Sequence, residues 1–202
     1  MEPRPDEAEL IARAREGDLS AFNTLVEHYQ TAVYNLCLRL LGSPQAAEDT
    51  TQDAFISAFR RLDSFRGGSF RSWLFRIAAN ACYDELRWRR SRPQTSLDEP
   101  QGSVERAIDV ADSAPSPVER AEQSELREAL ARALTQLPEE QRLAIVLCDA
   151  QGLDYAEIAV VMRCSLGTVK SRIARGRGRL RAILLQDAEL LPSRFRPTSE
   201  ET

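Results

Sequence analysis

Between Arg163 and Arg181 the chain carries seven cations, Arg163, Lys170, Arg172, Arg175, Arg177, Arg179 and Arg181, and no acid. Such a run can neutralise phosphates, and arginine can also grip guanine with two parallel hydrogen bonds. A second basic stretch, residues 66–90, sets six arginines against only Asp84 and Glu85. Its arginines are interleaved with aromatics, from Phe65 through Phe70, Trp73, Phe75 and Tyr83 to Trp88. That mixture suits single-stranded nucleic acid, because ring faces stack on unpaired bases while cations follow the backbone. Asn80 and Asp84 are four residues apart, hence on one helix face, and can hydrogen-bond the edge of an extruded base. For Trp73, flanked by Leu74 and Ile77, a place in the core is the simpler expectation. Trp88, within a run of arginines, is harder to bury.

The formal charge of −4 hides this division. Two basic islands in an otherwise acidic chain are the electrostatic footprint of two separate nucleic-acid contacts. Catalysis is not expected. A nuclease or recombinase needs clustered metal-binding carboxylates or a nucleophile beside a base, and the only histidine is His28. The four cysteines, Cys37, Cys82, Cys148 and Cys164, are far apart and form no C-x-x-C pair, so buried free thiols are expected. No metal and no cofactor is expected. No apolar run is long enough for a membrane span, and the acidic start MEPRPDEAEL is unlike a leader, so a cytoplasmic address follows.

These groups must be held by helices. Asp18 can cap a helix whose apolar positions run from Phe22 and Leu25 to Leu40, stopping at Gly42. Ser43-Pro44 restarts a helix, serine as cap and proline at its first position, with a stripe of Ala47, Ala54, Phe55, Ala58, Phe59 and Leu62. The loop from Asp63 to Gly68 breaks the pattern, and Ser69 opens a third long helix. Residues 91–117 lose periodicity, are rich in Pro, Ser and acids, and read as an acidic flexible linker. Helical pattern returns at Val118 and again at Pro138. Asp154 and Glu157 form a capping box before a short helix Tyr155–Met162. The expected architecture is all-α, two small helical domains on a tether. Residues 1–90 form one bundle, 118–186 the second unit and 187–202 a polar tail.

The segment GLDYAEIAVVMRCSLGTVKSRIARGRGRLRAIL has the grammar of a helix-turn-helix. Its first helix would bury Ile158, Ala159 and Met162. Arg163-Cys164 turns, Ser165 caps the second helix, and Val169 and Ile173 face inward. Ser165, Thr168, Lys170, Ser171, Arg172 and Arg175 then lie where a recognition helix meets base edges and phosphates. Gly176 and Gly178 interrupt this helix and read as tolerated surface positions.

The succession AEDTTQDAFISAFRRLDSF, FRGGSFRSWLFRIAANACYDELRWRR, LPEEQRLAIVLCDAQGLDYAEIAVVM and GTVKSRIARGRGRLR resembles sigma factors of the extracytoplasmic-function group of the sigma-70 family. The match covers residues 10–90 and 118–185. It implies that residues 1–90 are region 2 and 118–186 region 4. Asp49, Gln52, Asp53, Phe55 and Phe59 would dock on the β′ clamp helices of core RNA polymerase, with the β flap a further contact. Phe65 and Arg66, with Asn80 and Asp84, would capture a flipped base of the minus-ten element, while Arg76, Arg87, Arg89 and Arg90 hold phosphates. The helix-turn-helix would read the minus-thirty-five element, and the linker would lie in the polymerase channel. An anti-sigma factor is an expected partner, and no attached control module is expected after residue 185. The loop FRGGSF is one residue shorter than the FRGxSxF of some members, and Gly178 stands where the family usually has another residue.

The runner-up reading is a stand-alone helix-turn-helix regulator binding duplex DNA as a dimer. It accounts for the C-terminal half and leaves the aromatic-arginine segment idle.

Overall fold

The computed structural model describes residues 6–92 and 117–186. The linker expected at 91–117 lies almost wholly outside the described residues, and the tail at 187–202 lies outside them entirely. Among the described residues every regular element is helical.

In the N-terminal unit α1 (Glu7–Arg15) packs on α2 (Leu19–Leu41), and α2 packs on both α3 (Pro44–Arg60) and α4 (Phe70–Ser91). The caps explain the boundaries. The Asp18 carboxylate accepts from the Ser20 and Ala21 N–H groups at 2.9 and 3.1 Å, and Gly42 ends α2 in the left-handed region at φ 71°. Ser43 accepts from Ala46 N with Pro44 opening α3, and Ser69 accepts from Ser72 N at the start of α4. A 3₁₀ turn (Leu62–Ser64) joins α3 to the loop before α4. Helix α1 is not visible in the sequence pattern: Asp6 makes no side-chain cap bond, and only Leu10, Ile11 and Ala14 are buried.

The C-terminal unit comprises α5 (Pro117–Thr135), α6 (Glu139–Ile145), α7 (Tyr155–Met162) and α8 (Leu166–Gln186). One π turn (Val146–Ala150) prolongs α6, with Gln151 N donating to Val146 O at 2.9 Å. The Asp154–Glu157 capping box is formed in both directions, at 2.8 and 3.1 Å. Arg163 ends α7 at φ 49°, and Ser165 Oγ accepts from Thr168 N at 3.1 Å. Two sequence expectations are corrected here. Helix α7 buries Ile158 and Val161, leaving Ala159 and Met162 half-buried, because it is held between α4 and α8. Gly176 is buried rather than a surface position: a Cβ there would lie 2.7 Å from Ile145 Cδ1 and 3.3 Å from Gln141 Cβ. Its missing side chain lets α8 lie close on α6. Gly178 has nothing within 4 Å, in keeping with the surface reading.

The two units also touch. Leu143, Leu147, Leu153, Ile158 and Ile173 belong to the same apolar cluster as Leu36, Phe70, Leu74 and Phe75 of the N-terminal unit. Gln151 is held between the units, its side chain donating to Ala32 O at 3.1 Å and its carbonyl accepting from Arg71 at 2.5 Å.

Candidate functional site

Helix α4 turns one face to the core through Phe70, Trp73, Leu74, Ile77, Ala78 and Cys82. The opposite face exposes Asn80, Asp84, Arg87 and Arg90, while Arg76 and Arg89 are half-buried. Three of these cations have acidic partners. Arg87 pairs with Asp84, Arg89 with Glu85 at 2.7 Å, and Arg90 with Glu139 of α6. Trp88 is half exposed, and the Arg92 guanidinium lies 4.8 Å from its ring centroid. An aromatic face and cations thus share the C-terminal end of α4, where the helix dipole already favours positive charge.

Phe65 stands at the start of the loop before α4, between the core and the surface. It is buried, 5.5 Å from the Phe70 ring at a right angle and 5.6 Å from Trp73. Its ring packs on the core, and its remaining exposed edge borders the cleft described next. Arg66, Gly67 and Gly68 are exposed, both glycines at positive φ. With Glu7, Ile11 and Arg15 of α1 they line a cleft of about 550 Å³ that Asn80 and Asp84 do not reach. The four expected members of one pocket are therefore split between two places.

On α3, Asp49, Gln52, Asp53 and Phe59 are exposed in one stripe, and Ile56 joins them at 49% exposure. Phe55 faces the core instead, while Phe59 rests edge-on against Phe22 at 4.9 Å between centroids. Acids flanking an exposed isoleucine and phenylalanine make a surface suited to an amphipathic basic partner. Ile56 was missed in the sequence because its position within the helical repeat alone does not say whether a neighbour covers it.

The second basic helix is α8. Val169, Ile173 and Gly176 hold it against α6 and α7. Ser165, Lys170 and Arg175 are exposed and Thr168, Ser171 and Arg172 half-buried, on the side away from that core. Arg172 pairs with Glu140 at 2.5 Å, its side chain only 20% exposed. Arg177 pairs with Asp149 and lies 3.7 Å from Cys148 Sγ. That pairing holds the Asp149 carboxyl below the usual carboxylate range and raises the Arg177 guanidinium. Between the two basic helices, burial pushes the Tyr83 phenol up, with Glu140 and Glu139 adding to the effect and Arg172 opposing it.

Arg142 is a further residue that sequence reasoning missed. It is buried without a carboxylate partner and donates to three carbonyls: Leu40 O, Thr135 O and, at 3.1 Å, Leu137 O. Those carbonyls lie at or just beyond the C-terminal ends of α2 and α5, where a cation meets the negative ends of the helix dipoles. Burial lowers the basicity of its guanidinium.

The cysteines are unlinked: Cys37 and Cys82 are buried, and Cys148 and Cys164 half-buried. Donation of its proton towards Cys37, together with burial, pushes the Cys82 thiol up. Among the described residues no group of His, Cys, Asp and Glu could hold a metal ion, and no helix is long and apolar enough to cross a membrane.

Comparison with known proteins identifies the family. The Sigma-70 region 2 family matches residues 25–92 and the Sigma-70, region 4 family residues 127–180. The RNA polymerase sigma-H factor of Pseudomonas aeruginosa is 37% identical over 88% of this chain and 93% of its own length. The ECF RNA polymerase sigma-E factor of Escherichia coli is 41% identical over 83% and 88% respectively. Among solved structures, CnrH in complex with the cytosolic domain of CnrY is similar at TM-score 0.65 and 30% identity, over 88% of this chain and 96% of that one. The sigma factor RpoE in complex with the anti-sigma factor NepR from Bartonella quintana gives 0.60 and 27%, over 81% and 96%. With both signature regions matched in order and relatives aligned along most of their length, the chain belongs to the sigma-70 family of RNA polymerase sigma factors, in its extracytoplasmic-function group.

Proposed function

We propose that this chain acts in the cytoplasm as a promoter-specificity subunit without catalysis of its own, built from three working surfaces. The exposed stripe of Asp49, Gln52, Asp53, Ile56 and Phe59 on α3 docks on the β′ clamp helices of core RNA polymerase, with the β flap a second contact. Phe55 supports that stripe from the core side. On α4, Asn80 and Asp84 hydrogen-bond an unstacked base of the minus-ten element beside the loop at Phe65 and Arg66, while Arg76, Arg87, Arg89 and Arg90 follow its phosphates. On α8, Ser165, Thr168, Lys170, Ser171, Arg172 and Arg175 read the minus-thirty-five duplex from the major groove. The domain division is residues 1–90, a linker at 91–117 and 118–186. An anti-sigma factor is the natural regulator, by analogy with the complex of RpoE and the anti-sigma factor NepR named above.

One observation carries this reading over a stand-alone regulator. The chain exposes two unlike basic helices, one mixed with aromatic and amide groups and one purely basic, and a single duplex operator needs only the second. Purified chain with core polymerase should initiate runoff transcription from a specific promoter and bind that promoter weakly when alone. Tight dimeric binding to an operator without polymerase would reverse the conclusion.

A further inference from the structure

The fold sorts the aromatics that the sequence interleaves with arginines. Phe65, Phe70, Trp73 and Phe75 are buried and Tyr83 is half-buried, so of this set Trp88 alone keeps its ring in solvent, at 52% exposure. A single exposed apolar side chain needs no explanation by itself. What distinguishes Trp88 is its setting. Asn80, Asp84 and Trp88 follow one another at intervals of four on α4, so they share a face, and all three are exposed. One turn further on, the Arg92 guanidinium lies 4.8 Å from the centroid of the indole. The neighbouring cations turn to acids instead, Arg87 to Asp84, Arg89 to Glu85 and Arg90 to Glu139. Arg92 braces the ring from one face, as a cation–π contact does.

Among the described residues of α4 no other large apolar side chain is exposed. The ring therefore lacks the apolar surround that a protein interface places about a tryptophan. Its surround is cationic and amide-bearing, the composition of a platform on which a base stacks while cations take the phosphates. The spacing agrees. At 1.5 Å per residue Trp88 lies about 12 Å along the helix from Asn80. A stacked strand crosses that distance in about three or four nucleotides at 3.4 Å each, and an extended strand in fewer.

We propose that Trp88 is a second base-holding residue of this chain. It stacks on an unpaired base of the opened strand, about two to four nucleotides from the base at Asn80, with Arg92 bracing the ring. This rests on the functional reading above, which supplies the strand. The opened state is then held at two points of α4 rather than one. Stacking accepts any base, so Trp88 favours opening without narrowing the promoter sequence.

The fluorescent base 2-aminopurine, which brightens when unstacked, tests this in the full chain with core polymerase. It is placed at one position after another through the minus-ten element of a promoter found by runoff transcription. In the open complex of the unaltered chain, one position near the base at Asn80 should stay dark, and Trp88→Ala should brighten it by about twofold or more. Opening should slow by about fivefold or more with Trp88→Ala and with Trp88→Leu, while Trp88→Phe stays within about twofold, because a ring and not apolar bulk is needed. Identical profiles for the unaltered chain and Trp88→Ala, or a leucine that serves as well as phenylalanine, would overturn the proposal. Failure of the functional reading is told apart by a second measurement. If no promoter is opened by any of these chains, tryptophan fluorescence decides, with a single-stranded oligonucleotide of about 12 nucleotides as the probe. It should quench the unaltered chain and leave Trp88→Phe unchanged, since the remaining tryptophan, Trp73, is buried. Equal quenching of the two chains, or none in either, would then overturn the stacking role.

Discussion

Helices α4 and α8 are both basic, but their charges are balanced differently. In α4 two arginines are paired within the helix, Arg87 with Asp84 and Arg89 with Glu85 one turn away, and Arg90 alone of these three reaches another helix, at Glu139. The stretch from Leu166 to Arg181 has no acid of its own, and its partners come from other helices, Glu140 for Arg172 and Asp149 for Arg177. The two local pairs persist wherever α4 goes. The pairing of α8 depends on tertiary contacts, and Lys170 and Arg175 stay exposed. Under the proposed function this difference has a reason: where stacking and hydrogen bonding share the work, softened charge is tolerated, whereas duplex binding rests mainly on cations.

The largest effects expected are on the packing around α6. Arg142→Ala should destabilise the chain by about 3 kcal/mol, since it removes a buried cation from three carbonyls. Thermal unfolding would show this, and a change under 1 kcal/mol would mean that water replaces the guanidinium freely. Gly176→Val should follow at about 2 kcal/mol, because the new side chain meets Ile145 and Gln141 and pushes α8 off α6. Minus-thirty-five binding should fall with it.

Next come the readers themselves. Arg175→Ala should lose roughly 1–3 kcal/mol in duplex affinity and reduce the salt dependence by about one ion, whereas Arg87→Ala, freeing Asp84 as well, should lose under 1 kcal/mol. Equal losses measured by salt-titrated binding would erase the contrast between the helices. Asn80→Ala should slow open-complex formation at least tenfold, read with a fluorescent base at minus ten, while leaving polymerase binding within twofold. Equal loss of both would make Asn80 structural.

The smallest effect concerns pH. Asp149 has its pKa lowered by Arg177, so its contribution is present above the ordinary carboxylate range and is lost as pH falls through the lowered value. Both side chains are well exposed, so Asp149→Asn should destabilise by well under 1 kcal/mol at neutral pH. The difference from the unaltered chain should vanish in acid. A difference that grows on acidification would contradict the assignment.

Much of the fold was legible because its signals are local. Asp18, Ser43, Ser69, Asp154 and Ser165 each cap the helix that follows within three residues, and the spacing of Val169 and Ile173 named the buried face of α8. Helix α1 escaped because it lacks a side-chain cap and buries only three residues. The candidate site was legible as composition and order, less so as geometry. Asn80, Asp84, Lys170 and Arg175 are exposed as a reader's groups must be, while the Phe65 ring turned inward to join Phe70 and Trp73.

By itself, then, the order of residues determined the helices, their caps, the basic character of α4 and α8, and the family to which the chain belongs. These depend on neighbours a few positions away, where hydrogen bonds and periodicity act. Only the tertiary structure decided that Gly176 is a contact rather than a gap, that Arg142 joins α2 to α5, and that Glu139 and Glu140 pair with one arginine from α4 and one from α8. Each of those depends on which surfaces meet, and burial and charge pairing between distant segments exist only once the helices have packed.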